Sequence, residues 1–210
     1  MNLTTLYEIA NSSGGIIYFM LFMLFVALFI VIERYRFLAN MRHVGTHLID
    51  LCRQSDALSQ KGLRELHAAH ADNPVMKLLD VAIHGEQVHL SREELDNNLE
   101  EMIMHEVPEL DRGVWLLDTI ITLAPLLGLL GTIIGMFNAM SVMSDFQNAA
   151  VQISAGIAEA LVSTAVGIVI AMIGLFFFNN INTKVRHLVH QMETLKLMIL
   201  NRQHIFKALV

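Results

Sequence analysis

Residues Ile121–Met140 read ITLAPLLGLLGTIIGMFNAM, and residues Ile153–Phe178 read ISAGIAEALVSTAVGIVIAMIGLFFF. Each run reaches the roughly 20 residues that an α-helix needs to cross the hydrocarbon core of a bilayer. Neither contains a Lys or Arg, and the polar link Ser141-Val142-Met143-Ser144-Asp145-Phe146-Gln147-Asn148 joins them. Val114 to Phe178 is therefore expected to form a membrane hairpin, with the rest of the chain built to hold or extend it.

Working outward, a third apolar run, Ile16 to Ile32 (IIYFMLFMLFVALFIVI), ends at Glu33-Arg34-Tyr35-Arg36. A cleaved signal peptide is the competing reading of that run, but no Lys or Arg precedes it and no small-residue cleavage site follows. With 54% hydrophobic and 16% charged residues over 210 positions, the chain is too apolar for an ordinary soluble domain. Nine of its 14 Lys and Arg lie within Arg34–Arg112 and five within Lys184–Lys207. By the positive-inside rule this puts the N-terminus and the 141–148 link outside, and the middle segment and tail in the cytoplasm. The net charge of −6 argues against a nucleic-acid partner.

The expected fold is an all-α membrane protein with three transmembrane helices, N-out and C-in, whose long helices extend into the cytoplasm. In order, these are an outward segment 1–14, transmembrane helix 15–33, a cytoplasmic helical segment 34–112, transmembrane helix 113–140, an outward loop 141–149, transmembrane helix 150–178 and a cytoplasmic helix 179–210.

Within 34–112, Asn73-Pro74 is the clearest break, with Gly45, Gly62 and Gly85 as softer ones. Ser91-Arg92-Glu93-Glu94 fits a capping box. The apolar positions that follow have helical spacing: Leu95, Leu99, Met102 and Ile103, then Glu106 and Val107 a turn on. Pro108 should end or kink that helix. The segment after span three carries Val185, Leu188, Val189, Met192, Leu195 and Ile199 on one side and is expected to pack against the 91–112 helix. Cys52 reads as a small packing residue.

In span two, Gly128, Thr132, Gly135 and Ala139 are spaced four, three and four apart, with Gly131 four before Gly135. In span three, Gly156, Ala160, Ser163, Gly167 and Gly174 form a similar stripe. Small faces let helix backbones approach closely in a bilayer, where packing and polar pairing replace the hydrophobic drive. Taken alone, the spacing fits a packing surface. Glu159 adds a carboxylate about ten residues past the outer link. There it is costly unless it meets water or a partner, so an ion path or a polar subunit contact is the working expectation. Glu159 and Thr164 flank the small stripe, and Ile157, Leu161, Ile168, Val169 and Met172 lie opposite. Asp118, near the inner start of span two, reads as structural. The histidine pairs His67/His70 and His187/His190 lack a completing carboxylate or Cys, so no metal site is expected. No nucleophile elbow, phosphate loop or zinc-protease motif is present, and an enzyme is not expected.

The stretches Leu116–Ile120, Ala124–Met136 and Gly156–Gly167 resemble the ExbB/TolQ/MotA proton-channel family, in its ExbB and TolQ branch. That resemblance implies a ring of five subunits around the membrane helices of two ExbD- or TolR-like partners. Protons, the only coupling species and with no further cofactor, would pass by an Asp on the partner's helix, and motion would reach a TonB- or TolA-like protein. It further implies an inner-membrane, multi-pass location. Thr132 and Thr164 match the family's pore threonines and Glu159 its pore glutamate. A threonine hydroxyl can pair with a carboxylate in either protonation state. Ile173 stands where the family usually carries a proline, so no proline hinge is expected. The competing readings are a non-conducting scaffold held by the glycine stripes and, less well supported by three spans without an inverted repeat, a small-solute permease.

Overall fold

The computed structural model describes residues 15–54, 70, 72–141 and 149–201, with the side chains of 51–54, 86, 149–152, 155 and 159 left aside. The expected outward segment 1–14, the link 142–148, Gly62, His67, the side chain of Cys52 and the tail beyond Asn201 lie outside the described residues.

Five helices follow one another: α1 Ile16–Gln54, α2 Pro74–Gln87, α3 Arg92–Leu110, α4 Val114–Ser141 and α5 Ala149–Asn201. No strand occurs among the described residues. Three stretches are long and apolar enough to cross a membrane: Ile16–Asp50 of α1, Val114–Ser141 of α4 and Gly156–Asn201 of α5. The charged run Glu33–Arg36 ends the apolar stretch of α1 without ending the helix. Span three and the helix expected after it are one element, because Leu175 to Asn201 contains neither Gly nor Pro to interrupt the hydrogen-bond ladder.

Pro108 was expected to end or kink this helix; α3 runs two residues past it and stops at Leu110. Pro108 has no amide to bond the Met104 carbonyl, so α3 loses that rung in its last turns. The stop itself is Asp111-Arg112-Gly113. The Asp111 amide still donates to the Val107 carbonyl at 3.1 Å, and Gly113 then turns the chain at φ 76°, where a side chain would be strained.

The helices form two compact units. The first contains the part of α1 up to Ile32, together with Gly113–Asn180. The second contains Glu33–Arg112 and the chain from Ile181 onward.

In the second unit, α2 starts because Asn73 caps it and Pro74 follows at the first helical position. The Val75 amide donates to Asn73 Oδ1 at 3.0 Å, and the Asn73 Nδ2 group donates to the Met41 carbonyl of α1 at 3.2 Å. α3 starts with the capping box seen in the sequence. The Glu94 amide donates to Ser91 Oγ at 3.2 Å, and the Ser91 amide donates to Glu94 Oε2 at 2.8 Å. The Ser91 amide and then its hydroxyl hold the Glu94 carboxyl below the usual carboxylate range. A depressed carboxylate contributes stability above its unfolded pKa and loses it as pH falls through the folded one. Glu94→Gln should therefore lower the melting temperature near neutral pH, and the gap from wild type should narrow as the solution is acidified below the carboxylate range. A gap independent of pH would remove Glu94 from the cap.

Leu95, Leu99, Ile103, Glu106 and Leu110 form the buried face of α3. Glu106 is a carboxylate on an otherwise apolar face, only 3% exposed, and Lys77 Nζ reaches its Oε1 at 2.8 Å from α2. Lys77→Met should lower the stability of this unit by about 1–3 kcal/mol, since a buried acceptor then loses its charged partner. Adding Glu106→Gln should recover part of that loss in a urea titration. α5 packs on α3 as expected: Lys196 Nζ lies 2.8 Å from Asp96 Oδ1 and also bonds Glu100, and Arg92 donates to Asn201 Oδ1 at 3.0 Å.

Gly45 and Gly85, expected as soft breaks, lie inside α1 and α2. A Cβ on Gly45 would stand 2.8 Å from Gln191 Oε1, and one on Gly85 would stand 2.9 Å from Leu95 Cδ1. Both glycines lie within helices and leave room for the side-chain tips of a neighbouring element rather than making a turn.

Arg34 is 2% exposed. Its Nε donates to the Arg112 carbonyl and its Nη2 to the Glu109 carbonyl at 2.9 Å, and its guanidinium lies 5.1 Å from the centre of the Phe37 ring. It thus satisfies carbonyls at the C-terminus of α3, where the helix dipole favours a cation.

Candidate functional site

α4 and α5 of the first unit meet along their small residues. α4 buries Ala124, Gly128, Gly131, Gly135 and Ala139, a stripe with helical spacing. Opposite it on α5, Ala160, Ser163 and Gly167 are buried. A Cβ placed on Gly128 would stand 3.0 Å from Thr164 Cα, one on Gly135 2.9 Å from Ala160 Cβ, and one on Gly156 2.5 Å from Ala139 Cβ. On Gly167 it would fall 2.4 Å from the Ala124 carbonyl oxygen. The backbones are therefore in contact, as a bilayer requires when apolar side chains gain nothing by leaving lipid.

At the middle of this seam the close approach brings Thr132 and Thr164 together, their Oγ1 atoms 2.9 Å apart. Thr164 donates to the Gly128 carbonyl at 3.0 Å, and this bond runs from α5 to α4. Thr132 Oγ1 lies 2.7 Å from the Leu129 carbonyl and 3.2 Å from that of Gly128, within its own helix. Both side chains are half-buried. Gly128 is the pivot of the arrangement: its missing side chain lets Thr164 close in, and its carbonyl meets both hydroxyls.

Ser163 is fully buried, and its Oγ has no hydrogen-bond partner. It presses on Gly131, where a Cβ would stand 2.1 Å from that oxygen. Glu159 is on α5 one residue before buried Ala160, and its side chain is outside the described residues. The outward positions Ile157, Leu161, Ile168, Val169 and Met172 are all exposed, at 43–62%. Asp118 is exposed on α4, one helical turn before Thr122, whose hydroxyl lies 3.2 Å from the Asp118 carbonyl. Ala124 was missed as a seam residue, although it lies four before Gly128 and continues the stripe that the glycines begin.

The arrangement offers paired hydroxyls and a backbone carbonyl in a largely apolar hairpin. It can donate to or accept from a polar group brought alongside.

Three apolar helices and this seam define a multi-pass helical membrane protein. The sequence profile of the MotA/TolQ/ExbB proton channel family matches residues 53–194, and the chain belongs to that family. A putative biopolymer transport protein ExbB homolog of Methanothermobacter thermautotrophicus is 28% identical over 194 residues, 89% of this chain and 66% of the relative. The putative biopolymer transport protein ExbB-like 3 of Synechocystis is 48% identical over 84 residues, 39% of this chain and 40% of the relative. The Tol-Pal system protein TolQ of Haemophilus influenzae is 35% identical over 81 residues, 38% of this chain and 36% of the relative. In each case the chain spans less than two thirds of the relative's length.

Proposed function

We propose that this chain is the proton-channel subunit of an ExbB–ExbD type inner-membrane motor, one that uses the proton-motive force to energise TonB-dependent outer-membrane transport. The observation that carries the reading is the Thr132–Thr164 hydroxyl pair at 2.9 Å, set in a small-residue seam of a chain from a proton-channel family. In this reading the N-terminus is outside and the C-terminus inside. Five copies, a homopentamer, surround a pair of ExbD- or TolR-like helices, and a carboxylate on those helices exchanges protons beside the threonines. Glu159 contributes a second polar group along the same path. The coupling ion is H⁺, no other cofactor takes part, and a TonB- or TolA-like protein receives the motion.

Similarity to a TolQ protein favours a second reading, a TolQ-like subunit serving envelope integrity and division. The two differ in the partner they require. Proton influx into proteoliposomes should therefore be measured under an imposed potential and pH gradient, with this chain alone, with an ExbD-like partner and with a TolR-like partner. Flux that needs one of the partners and drops at least tenfold in Thr164→Val, about 1.4 kcal/mol in barrier, is the expected result. Partner-dependent assembly with the same flux in wild type and Thr164→Val would take the threonine out of the path. Assembly without flux, even with the TonB- or TolA-like protein added, would leave a membrane scaffold.

A further inference from the structure

One side chain in the α4–α5 seam is out of keeping with its neighbours. The buried α4 positions from Ala124 to Ala139 are all glycine or alanine, and Ala160 and Gly167 match them on α5, but Ser163 brings a hydroxyl. It is 0% exposed, and its Oγ has no hydrogen-bond partner. A Cβ on Gly131 would stand 2.1 Å from this oxygen and 2.9 Å from Ser163 Cβ, so the hydroxyl occupies the space that a methyl would need. Ile16 of α1 reaches the same point, its Cγ2 3.8 Å from that Cβ, and offers only carbon. Alanine would pack here without burying a polar atom, and a buried unpaired hydroxyl costs more than an ordinary hydrogen bond returns. The closed seam thus carries a penalty that any parting of the helices at Ser163 removes.

The seam is not equally tight on both sides of that point. Thr164 ties the helices beside Ser163, donating to the Gly128 carbonyl at 3.0 Å and lying 2.9 Å from Thr132 Oγ1. At this tie and on the side away from the 141–148 link, glycine meets backbone: the Cβ on Gly128 would stand 3.0 Å from the Ser163 carbonyl oxygen, and that on Gly167 2.4 Å from the Ala124 carbonyl oxygen. On the link side the nearest atoms are side-chain ones, Ser163 Oγ against Gly131, Ala160 Cβ against Gly135 and Ala139 Cβ against Gly156. We propose that the link-side half of the seam opens about the Thr164–Gly128 tie, and that Ser163 keeps it poised to do so. The hydroxyl is unpaired while this half is closed and bonds the water admitted when it parts, which brings water to the threonine pair from the link side. The opening belongs to the hairpin itself; only its use in conduction rests on the proton-channel reading.

The test uses the full chain with Cys52→Ser as background. In phosphatidylcholine nanodiscs, Ser163→Cys should react with aminoethyl methanethiosulfonate about tenfold faster (~1.4 kcal/mol) than Ile170→Cys, a position also buried on α5 but beyond the tie. Ser163→Ala should raise the melting temperature of the chain in detergent by about 2–4 °C, because it removes the unpaired hydroxyl. Reconstituted with an ExbD-like partner, it should pass protons about threefold more slowly than wild type (~0.6 kcal/mol). Higher stability with lower flux marks a seam held shut, whereas a serine that only packed would move both together. Equal labelling at 163 and 170, or none at 163, overturns the opening. A melting temperature at or below that of wild type overturns the part played by the hydroxyl. Flux unchanged in Ser163→Ala but lost in Thr164→Val overturns its use in conduction. If wild type passes no protons even with its partners, the proton-channel reading fails, and labelling and melting still decide the opening.

Discussion

Gly167→Leu is expected to keep α4 and α5 from closing on each other. A Cβ at this position lies 2.4 Å from the Ala124 carbonyl oxygen, 3.1 Å from its carbon and 3.2 Å from Gly128 Cα. All three are backbone atoms, so no side-chain rotation relieves the clash, and one helix must move away from the other. Even Gly167→Ala should cost about 1–3 kcal/mol, the range for overfilling a packed site. The leucine also separates Gly128 from Thr164 and so breaks the hydrogen bond now 3.0 Å long. Gly174→Ala is the informative comparison: its Cβ meets Ile121 Cγ1 at 2.8 Å, a side-chain atom that can give a little where a backbone cannot. Thermal unfolding in detergent should therefore rank wild type highest, Gly174→Ala a little below it, Gly167→Ala lower, and Gly167→Leu lowest or unassembled. If Gly167→Leu unfolds with wild type, the seam is not what holds the hairpin.

Arg34→Ala should be the most damaging single change in the second unit. It removes the donors to the Arg112 and Glu109 carbonyls and empties a site where Arg34 was 2% exposed. Hydrogen bonds from a charged donor contribute about 1.5–3 kcal/mol each, and orphaned buried carbonyls add their own desolvation penalty. A loss of about 3 kcal/mol or more is expected. Arg34→Lys keeps the charge but has no planar fork to reach two carbonyls at once, so it should recover less than half of the loss. Urea titration followed by helical circular dichroism, with hydrogen exchange at Asp111 and Arg112, gives the ranking. Similar stability in Arg34→Lys and wild type would show that charge at the helix end, rather than the fork, is what matters.

The parts of this molecule set by local pattern could be read from the chain. Ser91 and Glu94 are three residues apart and form both arms of their cap; Asn73-Pro74 marks a start because the cap and the missing amide lie side by side. The facing stripes of α4 and α5 were visible as periodic small residues. What could not be read was the pairing of distant positions. Nothing near Glu106 in sequence announces that Lys77, 29 positions away, neutralises it on a buried face. Arg34 counted among the cations that orient the chain, and its role on carbonyls 75 and 78 positions away leaves no periodic trace. Gly45 and Gly85 show the ambiguity directly, because a missing side chain signals a turn and a tight crossing equally well. Pro108 marked the end of α3 to within two residues, because the amide it lacks falls in the last turns of the helix.

The threonine seam holds two hydroxyl protons but four short oxygen–oxygen contacts: Thr132 to Leu129, to Gly128 and to Thr164, and Thr164 to Gly128. Donor and acceptor roles can therefore permute among them without any heavy atom moving. While both protons point at backbone carbonyls, the hydroxyls turn lone pairs toward a newcomer. A protonated acid then finds acceptors waiting, whereas its conjugate base must first pull a hydroxyl proton off a peptide carbonyl. In the proposed proton path the seam would thus tell two states of one visiting group apart by proton count alone, with neither a charge of its own nor a moving part.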